Sequence, residues 1–276
     1  MPDAVPLPFL FLGLFAIGSV LVGTGLWFRE GFRNENGGLL HIKPLAVRWY
    51  VVVLCGSAFF AIPFLLRMTG LLRRISGNDI ERSFYAGFAV ECVLVLFFAA
   101  IAAVSGKIRD GLGKGGFSIR LCACEFFKTL PLVLVTGLLW VPILKFLRSC
   151  GLPIEVEMQP LMQLLLKGQA SVPSLAAIGC SAVILAPICE ETFFRGILLR
   201  FFCSFLSLPK SLWLSSFVFA AMHGSWTAFL PIAAVGYRLG RNYAESRNLA
   251  VNMTIHGLFN AFNFIMAVTY SHCYAV

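Results

Sequence analysis

The chain has 276 residues, 59% of them apolar and 13% charged, where a soluble domain runs at roughly 45–50% and roughly 25%. With 27 Phe and a mean hydropathy of +0.85, it has too little polar surface to cover a water-soluble body of this size, so lipid must solvate much of it. The net charge of +9 is spread in short clusters between apolar runs rather than along one stripe, which suits anionic lipid headgroups and predicts no nucleic-acid partner.

Apolar segments near the ~20 residues that cross a bilayer recur at Pro6–Trp27, Trp49–Leu66, Phe84–Val104, Thr129–Leu144, Ser174–Leu206, Leu212–His223, Ala228–Leu239 and Leu249–Tyr270. They predict an all-α, multi-pass integral membrane protein of about eight transmembrane helices. The first run lacks the positive start of a cleaved signal peptide and is about twice as long as such a segment should be, so it reads as a span. Residues 111–116 offer Gly115 where a phosphate loop needs Ser or Thr after its lysine, and read as a flexible connection. Residues 161–167 are too short to span and too apolar for a free loop, which places them at the outer membrane interface. The sixth and seventh segments are short for full spans.

Seven of the nine cysteines lie in or beside apolar stretches, and no CxxC pair occurs; they read as small core residues. Fifteen of the 22 Lys and Arg fall in the first, third, fifth and seventh loops, counting Arg195, Arg200 and Arg238 with the loops that follow them. By the positive-inside rule those loops are cytoplasmic and both termini face out.

A charge at mid-bilayer costs ~2.5–3.5 kcal/mol on the lenient insertion scale, and the fifth segment holds Glu190, Glu191 and Arg195 together. Unpaired, the trio would cost roughly 7–10 kcal/mol, comparable with the stability of a whole domain, so partners or a wet cavity must offset it. Glu191 and Arg195 share a helix face at i, i+4 and can neutralise each other. Glu190 is turned ~100° away and has no such partner, which leaves it for another helix or for chemistry. His223 ends the sixth segment, and His256 and Asn260 lie one turn apart in the eighth. Counted at ~1.5 Å per residue from the nearest basic residues, all of them fall at a similar depth. Interhelical hydrogen bonding does not by itself call for two carboxylates, two imidazoles, an amide and an arginine at one level. Glu91, in the third segment, is a further buried carboxylate with no partner evident from the sequence.

Glu190-Glu191-Thr-Phe-Phe-Arg195, Phe219-Ala-Ala-Met-His223 and His256-Gly-Leu-Phe-Asn260 resemble the EExxxR, FxxxH and HxxxN motifs, in that order, of the CAAX-protease and bacteriocin-processing family of intramembrane endopeptidases. Gly236-Tyr-Arg-Leu-Gly240 fits the same pattern, and the resemblance covers roughly residues 155–265. It implies residues 1–150 as N-terminal helices with basic loops, and 151–276 as a catalytic transmembrane core with a conical intramembrane cavity open toward the cytoplasm. It further implies that Glu190 is the general base, that His223 orients the water, that His256 and Asn260 donate to the oxyanion, and that Glu191 and Arg195 support them. The expected partners are the lipid bilayer and a peptide or protein substrate, prenylated for some members of the family, and the expected location is a bacterial cytoplasmic membrane. No cofactor is expected. Zinc on Glu190, His223 and His256 is the lesser alternative, since HExxH is absent and Asn is a poor zinc ligand. The other rivals are a non-catalytic immunity or scaffold protein, a proton-coupled transporter, and a Cys189 nucleophile. Cys273-Tyr274-Ala275-Val276 has the outline of a CAAX box but lacks the aliphatic residue at Tyr274.

Overall fold

The computed structural model describes residues 14–15, 17–26, 42–45, 47–68, 79–109, 112–113, 116–153, 165 and 170–274. The start of the first apolar run, half of the 111–116 connection, residues 161–167 apart from Leu165, and the last two residues lie outside the described residues. The described helices are α1 (Ile17–Leu26), α2 (Trp49–Met68), α3 (Asp79–Val104), α4 (Ile119–Ser149), α5 (Val172–Phe202), α6 (Leu208–Met222), α7 (Phe229–Ser246) and α8 (Leu249–Tyr274). No strand occurs among the described residues beyond one isolated bridge between Gly113 and Asn248. The fold is all-α, and α2, α3, α4, α5 and α8 are long and apolar enough to cross a membrane.

Two helices extend past the bounds that hydropathy predicts, for one reason. Glu125 and Lys128 of α4 are buried and paired at 2.7 Å, and Arg238 of α7 also binds the Glu125 carboxylate. Paired charges can be carried into the interior where a lone charge cannot, so α4 starts ten residues before Thr129 and α7 runs on past Leu239 to Ser246. Helices α6 and α7 form a short hairpin turned at Gly224, whose φ of +62° glycine adopts at little cost. Their contact is close because α7 presents Gly236 and Gly240: a Cβ at either would come within 3.0 Å and 2.9 Å of Phe219 and Leu212.

Helix α5 is irregular where it matters. Its Ser181–Leu185 stretch is a π turn in which the Ala186 N–H bonds the Ser181 carbonyl. Pro187 follows and has no N–H to give. The Ala182 carbonyl is therefore open to a partner from outside the helix, and Asn260 of α8 donates to it at 2.7 Å. One turn earlier, α8 crosses so near to the same stretch that a Cβ at Gly257 would lie 2.6 Å from the Val183 carbonyl oxygen. Behind this crossing, Phe59 of α2, Phe98 of α3, Phe193 and Phe194 of α5 and Phe219 of α6 form one aromatic cluster. It joins the N-terminal helices to the helices that carry the motifs.

Gly257→Ala forces backbone to move at the α5–α8 crossing, and overpacking of this kind costs roughly 1–3 kcal/mol. Thermal unfolding in detergent should show a lower Tm for that variant. An unchanged Tm would mean that α8 can shift off α5 freely.

Candidate active site

Glu191 is completely buried and ties α5 to α8. Its Oε1 accepts from Arg195 Nη1 at 2.7 Å and from His256 Nδ1 at 2.9 Å, and its Oε2 accepts from Asn252 Nδ2 at 3.3 Å. Arg195 also donates through Nη2 to the Gly236 carbonyl of α7 at 2.9 Å, while Asn252 donates to the Leu239 carbonyl at 2.6 Å. The guanidinium lies 4.6 Å from the centre of the Phe219 ring, a cation–π contact that replaces lost hydration. The expected Glu191–Arg195 pair is present.

Glu190, one residue earlier, does the opposite. Its side chain is 21% exposed against 0% for Glu191, and its Oε2 has no hydrogen-bond partner. Two imidazoles face that oxygen, with His223 Nε2 at 4.0 Å and His256 Nε2 at 3.9 Å. Each has its other nitrogen occupied. His223 Nδ1 donates to the Phe219 carbonyl at 2.8 Å, and His256 Nδ1 sits on Glu191. A carbonyl can only accept, so His223 carries its proton on Nδ1. Phe219 packs edge-on to the His223 ring at 4.8 Å and the His256 ring at 5.9 Å, fixing both.

The imidazoles and Asn260 line a cavity of about 840 Å³ whose walls are otherwise mostly apolar and which also includes Glu91 and Ser181. The structure thus gathers Glu190, His223 and His256 within 4.0 Å contacts, and places Asn260 on the cavity wall, bonded to Ala182. Two participants were not read from the sequence. Asn252 bonds the Glu191 carboxylate and could have been suspected from its i−4 spacing to His256. Ser181 could not, because its value depends on the π turn. Glu91, without a partner in the sequence reading, accepts from the Ser181 hydroxyl. Among the described residues, no group of three His, Cys, Asp or Glu is arranged to hold a metal ion.

The cavity also bears on sidedness. Its lining comes from residues 83–91 of α3, 178–186 of α5, the end of α6, the start of α7 and residues 256–270 of α8. All of these lie toward the second, fourth and sixth loops and the C-terminus. Cytoplasmic odd-numbered loops and a cavity open to the cytoplasm therefore exclude each other in this fold. The structure also narrows the charge asymmetry, since Lys128, Arg195, Arg200 and Arg238 are buried and bonded to protein groups rather than headgroups. Eleven basic residues then remain on the odd side against seven.

Residues 172–262, about a third of the chain, match the family model described as type II CAAX prenyl endopeptidase Rce1-like. The stretch contains all three motifs, so the resemblance they carry is borne out for this part of the chain. A Bacillus subtilis protein described as uncharacterized protein YpbD is 33% identical over 82 residues, covering 28% of this chain and 39% of that protein. The match thus spans about two fifths of the length of that curated relative. No solved structure matches this chain.

Two predictions follow from this geometry. Glu191→Gln leaves Arg195 buried with its charge uncompensated, a loss of about 3–5 kcal/mol, whereas Glu190→Gln disturbs no hydrogen bond; detergent-extracted yield and Tm should fall for the first and hold for the second. Equal stability of the two variants would sink this division of roles. The remaining basic asymmetry predicts a non-cytoplasmic C-terminus, and with it a cavity that faces away from the cytoplasm. A reporter fused after Val276 and active only in the cytoplasm would reverse both.

Proposed function

We propose that this chain is an intramembrane endopeptidase in which Glu190 takes a proton from a water attacking a peptide carbonyl. The observation that carries the reading is the buried, unpartnered Oε2 of Glu190 with two imidazole Nε2 atoms turned toward it at 3.9 and 4.0 Å. Those gaps are too long for direct hydrogen bonds and of the length that a shared water bridges. A carboxylate so placed, against two imidazoles that line a mostly apolar cavity, is suited to general-base work. The family description of residues 172–262 as endopeptidase-like points the same way.

In this proposal His223 orients the water through Nε2. His256 and Asn260 stabilise the oxyanion, Asn260 with the N–H that Ala182 does not take. Because His256 Nδ1 is held on Glu191, donation from Nε2 requires the doubly protonated ring. Glu191 and Arg195 position the imidazole and touch no reacting atom. The chemistry proceeds by proton transfer without a metal. The substrate is a peptide or protein segment presented in the bilayer, lipid-modified segments included, and the site of action is the bacterial cytoplasmic membrane.

Comparative membrane proteomics of cells with wild-type protein and with Glu190→Gln should reveal a peptide that accumulates uncleaved in the variant. With that peptide and purified protein, Glu190→Gln should lower kcat by ~10²–10⁴ and Asn260→Ala by ~10²–10³ with KM little changed. Exhaustive chelation should leave wild-type turnover intact. Wild-type turnover by Glu190→Gln would refute the base assignment, and loss on chelation restored by zinc would make the chain a metalloprotease.

A further inference from the structure

The proteolytic assignment leaves one acid of the cavity without a task. Glu91 lies on α3, outside the stretch that matches the endopeptidase family, and lines the same cavity as His223, His256 and Asn260. Helices α3 and α5 touch at this level: the Cys189 thiol donates to the Glu91 backbone carbonyl at 3.7 Å, and Glu190 is the next residue. Ser181, on the π turn, donates to Glu91 Oε2, which fixes the carboxyl and leaves Oε1 for a proton. The following residue, Ala182, is the one that holds Asn260. The π turn therefore ties the Glu91 wall and the Asn260 wall to one piece of backbone.

Peptide hydrolysis needs a proton source as well as a base, because an amine nitrogen does not leave as an anion. The other groups around Glu190 are committed. The Nδ1 protons of His223 and His256 are bound to the Phe219 carbonyl and to Glu191, the Nε2 proton assigned to His256 above is held by the oxyanion, and Arg195 is buried beneath Phe219. Of the two acids, Glu190 is the one that two imidazoles face, and Glu91 is the one on the cavity wall, held by a hydroxyl.

Resting on the proteolytic reading of the site, we propose that Glu91 is its general acid and protonates the departing amine. Water's oxygen bonds to the carbonyl carbon as one of its protons passes to Glu190. When the C–N bond breaks, its electron pair goes to nitrogen, which takes the Glu91 proton, and the products are a carboxylic acid and an amine. Glu190 then returns its proton through water to the Glu91 carboxylate, restoring the starting state. Nothing is oxidised or reduced.

The test uses the full chain in liposomes and two quenched-fluorescent probes: a farnesylated CAAX peptide, and its twin with a thioester at the scissile bond, whose thiolate leaves without a proton. Glu91→Gln keeps the shape and can still accept from Ser181, so the wall stays in place. It should lower kcat on the amide by ~10²–10⁴ at near-constant KM and leave the thioester rate within about threefold of wild type. Equal slowing on both probes would make Glu91 structural, and unchanged rates on both would remove it from the reaction; either overturns the proposal. Glu190→Gln, run alongside, should lose both activities. If it cleaves both at the wild-type rate, or if the wild-type protein cleaves neither, the proteolytic assignment fails and the Glu91 role falls with it.

Discussion

The buried pair of Glu191 and Arg195 is the interaction on which the rest of the site depends. Neither charge is tolerable alone at this depth, and together they still need donors and acceptors for the atoms they leave over. Those come from three other places: the Gly236 carbonyl on α7, Asn252 and His256 on α8, and the Phe219 ring on α6. Satisfying one ion pair thus fixes four helices relative to one another. It also fixes the proton on His256, since the carboxylate holds Nδ1 and the other nitrogen can only face Glu190. The support of the site and its chemistry share this one requirement.

The same step along α5 separates two identical side chains into two roles. A turn of ~100° per residue sends Glu191 into the helix contacts and Glu190 toward the two imidazoles. Four residues earlier the helix changes pitch, and the reason is local: Ala186 bonds back to Ser181 and Pro187 has no proton to offer. An α-helix would have consumed the Ala182 carbonyl internally. The wider turn opens it to Asn260, so a backbone irregularity becomes the anchor for a side chain of the site. Gly257 permits this because no side chain stands between α8 and the Val183 carbonyl.

Much of this was legible in the sequence, and the parts that were not share a physical cause. The helices stood out because lipid-facing residues must be apolar, and the Glu191–Arg195 pair because spacing alone decides which residues share a helix face. The ends of α4 and α7 were misplaced because hydropathy treats every charge as a cost, while Glu125, Lys128 and Arg238 cancel one another in the interior. The same blindness inflated the charge asymmetry, where four buried basic residues had been counted as facing headgroups. Ser181 and Glu91 lay beyond reach because their meeting depends on how α3 packs on a distorted turn of α5, and no periodicity encodes that.

The cavity is not the property of the matched segment alone. Residues 172–262 bring the imidazoles and Asn260, but one wall comes from Ser83, Phe84, Gly87 and Glu91 of α3, and the far end from Phe264, Met266 and Tyr270 of α8. A reaction centre needs fixed geometry within about a hydrogen-bond length, and buried pairs such as Glu191–Arg195 supply it. The rest of the cavity needs only to be apolar and of the right shape, a demand that many side chains meet. The segment that resembles a known family is therefore the one under the tighter physical constraint. What can enter the cavity is set in large part by α3 and the end of α8, outside the match.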